Sequence, residues 1–170
     1  MAFQAHIAVK GTKQGQFKGE GIQDKRKDKW MPVLSCNMGI KSPRDIATGQ
    51  ASGKRQYSPV TIVKEWGAAS PQLLQACSTN EVLTEVNIEF SKTNKNGEEY
   101  VYQTIKLTNA TVSDVQRYTG DDGTEGASSS KHTSAVDTME LEKVAFTFQK
   151  IEVSDNDGKT TYLDDWADTK

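Results

Sequence analysis

Cysteine is scarce in this chain: Cys36 and Cys77 are the only two among 170 residues. That is too few for a disulfide scaffold, and a chain of this length buries a core without staples. Both are expected as reduced, partly buried thiols, one on a strand and one at a helix end. Histidine is equally sparse. His6 falls on the polar parity of the first strand pattern and His132 in a serine-rich stretch. Neither a Ser-His-acid nucleophile nor a zinc-finger spacing with the cysteines is on offer, so no metal site is expected. No run approaches the roughly 20 apolar residues that span a bilayer, and the opening MAFQAHIAVKG lacks a basic leader followed by a long apolar segment. The expectation is a soluble protein made in the cytoplasm, without membrane insertion or a cleavable signal. Charge of one sign is missing too. With 21 basic and 23 acidic residues the net charge is -2, which excludes general attraction to nucleic acid. The densest basic run, Lys25, Arg26, Lys27 and Lys29, is broken by Asp24 and Asp28 and reads as a solvated loop.

Motifs for chemistry are weak. Gly49 to Arg55 is superficially similar to a phosphate loop, but it is one spacer short and has Arg where a metal-binding Ser or Thr belongs. Aligning Gly158 with the invariant glycine of an EF-hand puts Val153 at the first ligand position and Asp164, not Glu, at the last. Glu81, Glu85 and Glu89 share one parity opposite Val82, Val86 and Ile88, so a solvated or lumen-facing surface explains them better than a glycosidase pair. No catalytic residue and no cofactor is assigned. Trp30 and Trp66 read as structural anchors.

What the chain has in quantity is β pattern. Phe3, Ala5, Ile7 and Val9 alternate on one side, as do Val82, Val86, Ile88 and Phe90 on a later segment. Asn96-Gly97 supplies the positive φ angles of a tight connection to the next strand, where Val101, Ile105 and Leu107 alternate with Tyr100, Tyr102 and Thr104. Neither face there is plainly solvent, which hints at assembly. From Met139 onward Leu141 alternates with Glu140 and Glu142 before Val144, Phe146 and Phe148 take the opposite parity, predicting a bulge near Lys143. Residues 119–135, rich in Gly, Ser and acid, read as a mobile loop. A last short strand is expected after Asp155-Asn156-Asp157-Gly158.

The most informative stretch is residues 48–73, TGQASGKRQYSPVTIVKEWGAASPQL. A Gly-rich connector leads into a strand over Val60, Thr61, Ile62 and Val63, then a helix capped by Ser70 with Pro71 first and Leu73, Leu74 and Cys77 on one side. Its spelling resembles the signature of the haemolysin-coregulated proteins (Hcp), tube subunits of the bacterial type VI secretion system. FQAHIAV, VLSCNMGIKSP, EVNIEF, YQTIKLTNATVSDV and VAFTFQKIEV extend the resemblance through nearly the whole chain. Two positions depart from it: Tyr57 stands where many relatives have His, and Gly67 where many have Asp.

The fold expected is mainly β (α+β): a compact β-barrel of two curved antiparallel sheets with one short flanking helix and a protruding loop, residues 1–170 forming one domain. The resemblance implies a hexameric ring, rings stacked into a tube, and as partners a sheath, a spike-tip protein and effector cargo, with export that needs no cleavable signal. The protruding loop, residues 41–57, is the candidate stacking or subunit-interface element through Arg44, Asp45, Gly49, Gln50, Gly53, Lys54, Arg55 and Tyr57. A phage-like tail-tube subunit and a monomeric β-sandwich binding module are the alternatives, and an unannounced enzyme is a third.

Overall fold

The computed structural model describes residues 4–21, 28–119 and 140–166. The predicted loop over 119–135, apart from Thr119, which ends a strand, lies outside them, as do Met139, Phe3, His132 and the run Lys25, Arg26 and Lys27. Among the described residues twelve strands and one helix follow in chain order: β1 (Gln4–Gly11), β2 (Gly15–Gln16), β3 (Met31–Val33), β4 (Ser35–Asn37), β5 (Ile40–Lys41), β6 (Gln56–Tyr57), β7 (Val60–Glu65), α1 (Ser70–Thr79), β8 (Leu83–Thr93), β9 (Glu99–Thr119), β10 (Glu140–Thr147), β11 (Lys150–Asp155) and β12 (Thr160–Asp165). All the pairings are antiparallel.

Two sheets share β9. Its first half pairs with β8 and β11, and its second half with β10. The corner is at Asn109, whose φ of 51° is a left-handed conformation that Asn tolerates because its short polar side chain bonds locally. Here Asn109 Nδ2 donates to Gln149 Oε1 at 3.0 Å, beside the point where β10 gives way to β11. Closure comes from residues 31–37. β3 pairs with β1, β4 pairs with β7, and between them the Leu34 amide donates to the Val63 carbonyl at 2.8 Å. The path β1-β8-β9-β10-β7 thereby returns to β1, as the barrel reading requires. The β11–β12 hairpin extends one wall beyond the ring.

Inside, Ile7, Val9, Met31, Val60, Ile62, Val86, Ile88, Leu107, Val144, Phe146 and Ile151 form one core. Ala5, Ile7 and Val9 face it as their alternation predicts. The β8–β9 turn forms as expected: Gly97 has φ 80°, and Asn94 Oδ1 accepts the amides of Asn96 and Glu98 at 2.9 and 3.0 Å.

Several parities differ from the sequence reading. A register shift opposite Lys10/Gly11 leaves Thr84 as an extra residue, so Leu83 and Glu81 turn inward and Val82 outward. Glu81 is therefore buried, while Glu85 and Glu89 are half-buried. No bulge lies at Lys143. Glu142, Val144 and Phe146 all point inward in one unbroken alternation, and the irregularity is on β9, where Ser113 is the residue skipped between the partners of Ala145 and Phe146. On α1, Leu73 and Ala76 are buried and Leu74 is exposed, because Ala76, not Leu74, shares the face of Leu73. Ala69 is the N-cap residue and makes no side-chain cap bond; the Ala69 amide is instead taken by Glu20 Oε1 at 2.9 Å.

Candidate assembly surface

The loop over 41–57 is an ordered hairpin, more regular than a glycine-rich connector suggests. β5 and β6 pair at its base as a separate two-stranded ribbon, and Arg44 and Ala51 form a bridge further out. The Ser52 amide donates to the Pro43 carbonyl at 3.0 Å and the Asp45 amide to the Gln50 carbonyl at 2.8 Å. Asp45 organises the tip: Oδ1 accepts the Ala47 amide and its carbonyl accepts the Gly49 amide, both at 2.8 Å. Gly49 closes this turn at φ 71°, which L side chains rarely adopt. Five residue steps lead from Ile40 to Asp45, so the tip stands up to roughly 16 Å beyond the base.

Arg44, Asp45, Gly49, Gln50, Gly53 and Lys54 are all exposed along this projection, and Ile46 at the tip is 103% exposed. A β-branched aliphatic side chain left wholly in water forgoes about 1.5–3 kcal/mol of burial, which a contact covering the tip would recover. Arg55 and Tyr57 are the exceptions among the predicted residues. Both are half-buried at the base and turn toward the end of the same chain.

There the Arg55 guanidinium grips Asp164 through two nitrogens, Nε on Oδ2 and Nη2 on Oδ1 at 2.8 Å, and Nη2 also reaches the Asp165 carbonyl at 2.9 Å. The Tyr57 hydroxyl donates to Asp164 Oδ2 and shares a hydrogen bond with the Tyr162 hydroxyl. The Tyr57 ring meets Phe148 edge-on at 5.2 Å and Trp166 at 5.4 Å. Lys54 Nζ donates to the Trp166 carbonyl at 3.4 Å. Burial, then hydrogen bonding to Asp164 and Tyr162, pushes the Tyr57 phenol well above its ordinary range. Burial raises Asp164, yet the hydrogen bonds from Arg55 and Tyr57 outweigh it and hold the carboxyl below its usual value.

A second charged cluster was invisible in the sequence. Lys64, on the inward parity of β7, is wholly buried and places Nζ 2.9 Å from Glu20 Oε2, 2.6 Å from Glu142 Oε1 and 2.9 Å from the Glu65 carbonyl. Ser70 Oγ donates to Glu142 at 2.7 Å and accepts the Gly67 amide at 2.9 Å. Arg117 approaches Glu142 Oε2 at 3.6 Å with its guanidinium over the Trp66 ring at 4.1 Å, and Trp66 Nε1 donates to the Leu141 carbonyl at 2.8 Å. Trp66 is thus an anchor, as expected of an isolated tryptophan. Lys64 and Arg117 balance Glu20 and Glu142, so the cluster ties the start of α1 to the barrel wall without net charge.

Residues 7–154 match the family described as "Type VI secretion system effector, Hcp". The chain belongs to the Hcp family. Over 175 aligned positions it is 33% identical to the "Major exported protein" of Pseudomonas aeruginosa, covering 98% of this chain and 96% of that protein. The structure of the secreted protein Hcp3 from Pseudomonas aeruginosa, 27% identical, superposes with a TM-score of 0.72 over 98% of this chain and 100% of its own. Hcp1 from an enteroaggregative E. coli strain, 24% identical, superposes at 0.80 over 97% and 99% of the two chains. A further Hcp crystal structure, 22% identical, superposes at 0.85 over 98% and 99%. The latter two establish the shared fold. Hcp membership places this chain among the secreted, structural tube components of the type VI secretion system.

Proposed function

We propose that residues 1–170 act as one tube-subunit domain, that six copies close into a ring, and that rings stack through the hairpin over 41–57. The observation carrying this reading is an ordered projection, tipped by Arg44, Asp45 and a bare Ile46, that its own chain leaves in solvent. A closed ring needs one surface of each subunit to meet a different surface of the next, and stacking needs two further complementary faces. Arg44 and Asp45 suit such a contact because paired opposite charges fix register, while Ile46 supplies apolar area. The partners that follow are other copies of this chain within and between rings, then a sheath, a spike-tip protein and effector cargo held in the lumen.

Light scattering at high protein concentration is expected to give the mass of a hexamer; a strictly monomeric mass overturns the ring. Deleting Asp45 to Gly53 is expected to leave the far-UV spectrum and the ring intact and to reduce pelletable tubes at least tenfold. Unchanged tube formation by that deletion removes the hairpin from the stacking contact. Export is expected to depend on the contractile apparatus: the protein accumulates in supernatants of cells with a working sheath and is lost from those of a sheath-deficient strain. Equal extracellular amounts in both strains, with a cytoplasmic protein as lysis control, refute sheath-driven release.

A further inference from the structure

The hairpin that projects from the barrel is poorly held by its own strands. β5 and β6 contribute two residues each, form no sheet with the barrel, and are backed at the neck by one further bond, from the Ser58 amide to the Gly39 carbonyl at 2.9 Å. A two-stranded ribbon this short is marginal in water, and beyond its continuation from the paired strands β4 and β7 something else must hold its direction. That something is the last strand. Asp164 gathers the guanidinium of Arg55 and the hydroxyls of Tyr57 and Tyr162, while Trp166 packs on the Tyr57 ring. The contacts of Arg55 and Tyr57 join the β6 arm of the hairpin to β12 and the residue after it, more than 100 residues later in the chain, and β12 is itself anchored to the barrel wall through the whole length of β11.

We infer that Asp164 is a positioning residue for the assembly surface: β12 fixes the direction in which the hairpin projects, so readiness to stack is set at the C-terminal strand. The planar fork of Arg55 matches a carboxylate in one orientation only, which defines an angle as well as a distance. Both tyrosine hydroxyls add to Oδ2, the oxygen that also accepts Arg55 Nε, and the Tyr57 ring packs edge-on against Phe148 and tilted against Trp166. A partner or an appended segment that draws β12 away from β11 would release the same latch. The consequence for stacking rests on the hairpin being the stacking element; the latch itself does not.

The test compares Asp164→Asn, which keeps shape and removes charge, with Asp164→Glu, which keeps charge, and with the milder Tyr57→Phe. In Asp164→Asn the amides of residues 39–58 are expected to exchange with deuterium at least tenfold faster, and trypsin to cut after Lys54 or Arg55 at least tenfold faster. Amides of β7 and β9 should stay within twofold of the parent, which separates release of the latch from loss of the fold. Asp164→Glu should recover most of the protection, and Tyr57→Phe should lose part of it. Parent-like exchange and cleavage in both Asp164→Asn and Tyr57→Phe overturn the inference. Faster exchange with undiminished stacking upholds the latch and counts instead against the hairpin as the stacking element.

Discussion

Lys64→Met is expected to destabilise the folded chain by about 3 to 5 kcal/mol, the usual penalty for removing one partner from a buried ion pair. The reason is what it leaves behind. Among the described residues, the partners then left are Ser70 on Glu142 Oε1, Arg117 at 3.6 Å from Glu142 Oε2, and the Ala69 amide on Glu20. Two carboxylates would then share one low-dielectric site without the ammonium that lies between them. Urea unfolding at fixed protein concentration measures the loss, since ring formation would add a concentration-dependent term. Adding Glu142→Gln to Lys64→Met should recover part of it, because the neutral amide still accepts from Ser70 and no longer needs a counter-charge. A change below about 1 kcal/mol in the single variant would mean that water reaches the cluster. Gly67 belongs to the same cluster: a Cβ there would lie 2.2 Å from Glu20 Cδ, so Gly67→Ala must displace the Glu20 carboxylate. The Glu20 carboxylate fills the space that a side chain at position 67 would take.

Phe146→Ala is expected to cost about 3 to 5 kcal/mol, through lost transfer energy and the cavity left in a core that cannot fully collapse. Phe146 is wholly buried between Val60 and Val112, its partners across β7 and β9. A loss of that size is a large share of the stability of an ordinary domain. Phe148→Ala should cost less. Its ring lies past the end of β10, only partly buried, where it meets Tyr57. Equal melting temperatures for the parent and Phe146→Ala would show that this ring does not fill the core.

Alternation alone placed much of the frame. Ala5, Ile7 and Val9 face the core, β7 runs through Val60–Glu65, Gly97 turns the β8–β9 hairpin, and β12 follows the Asp155–Gly158 turn as expected. The reading slipped wherever polarity was used as a proxy for facing water. Glu142 points inward, whereas its alternation with Leu141 predicts the outward face and a bulge at Lys143. Its charge is admissible there because Lys64, Ser70 and Arg117 arrive from other elements. Glu81 and Val82 exchanged faces because a bulge costs one residue of register, and no local pattern marks Thr84 as the residue left over. Arg44 and Asp45 were legible as exposed loop charges, whereas Arg55 and Tyr57 carried no sign that Asp164 would claim them.

The sequence by itself determined the β character, the short Pro-started helix, the position of the projecting hairpin and, through its spelling, membership of the Hcp family. Each is written in residues close together along the chain, where side-chain period and backbone preference act directly. Only the tertiary structure decided that residues 31–37 close the barrel, that a lysine sits in its wall between two glutamates, and that the last strand holds the hairpin at its base. Those contacts join segments far apart in sequence. A buried charge or a strand edge becomes favourable only once its distant partner is in place, so no local signal records them.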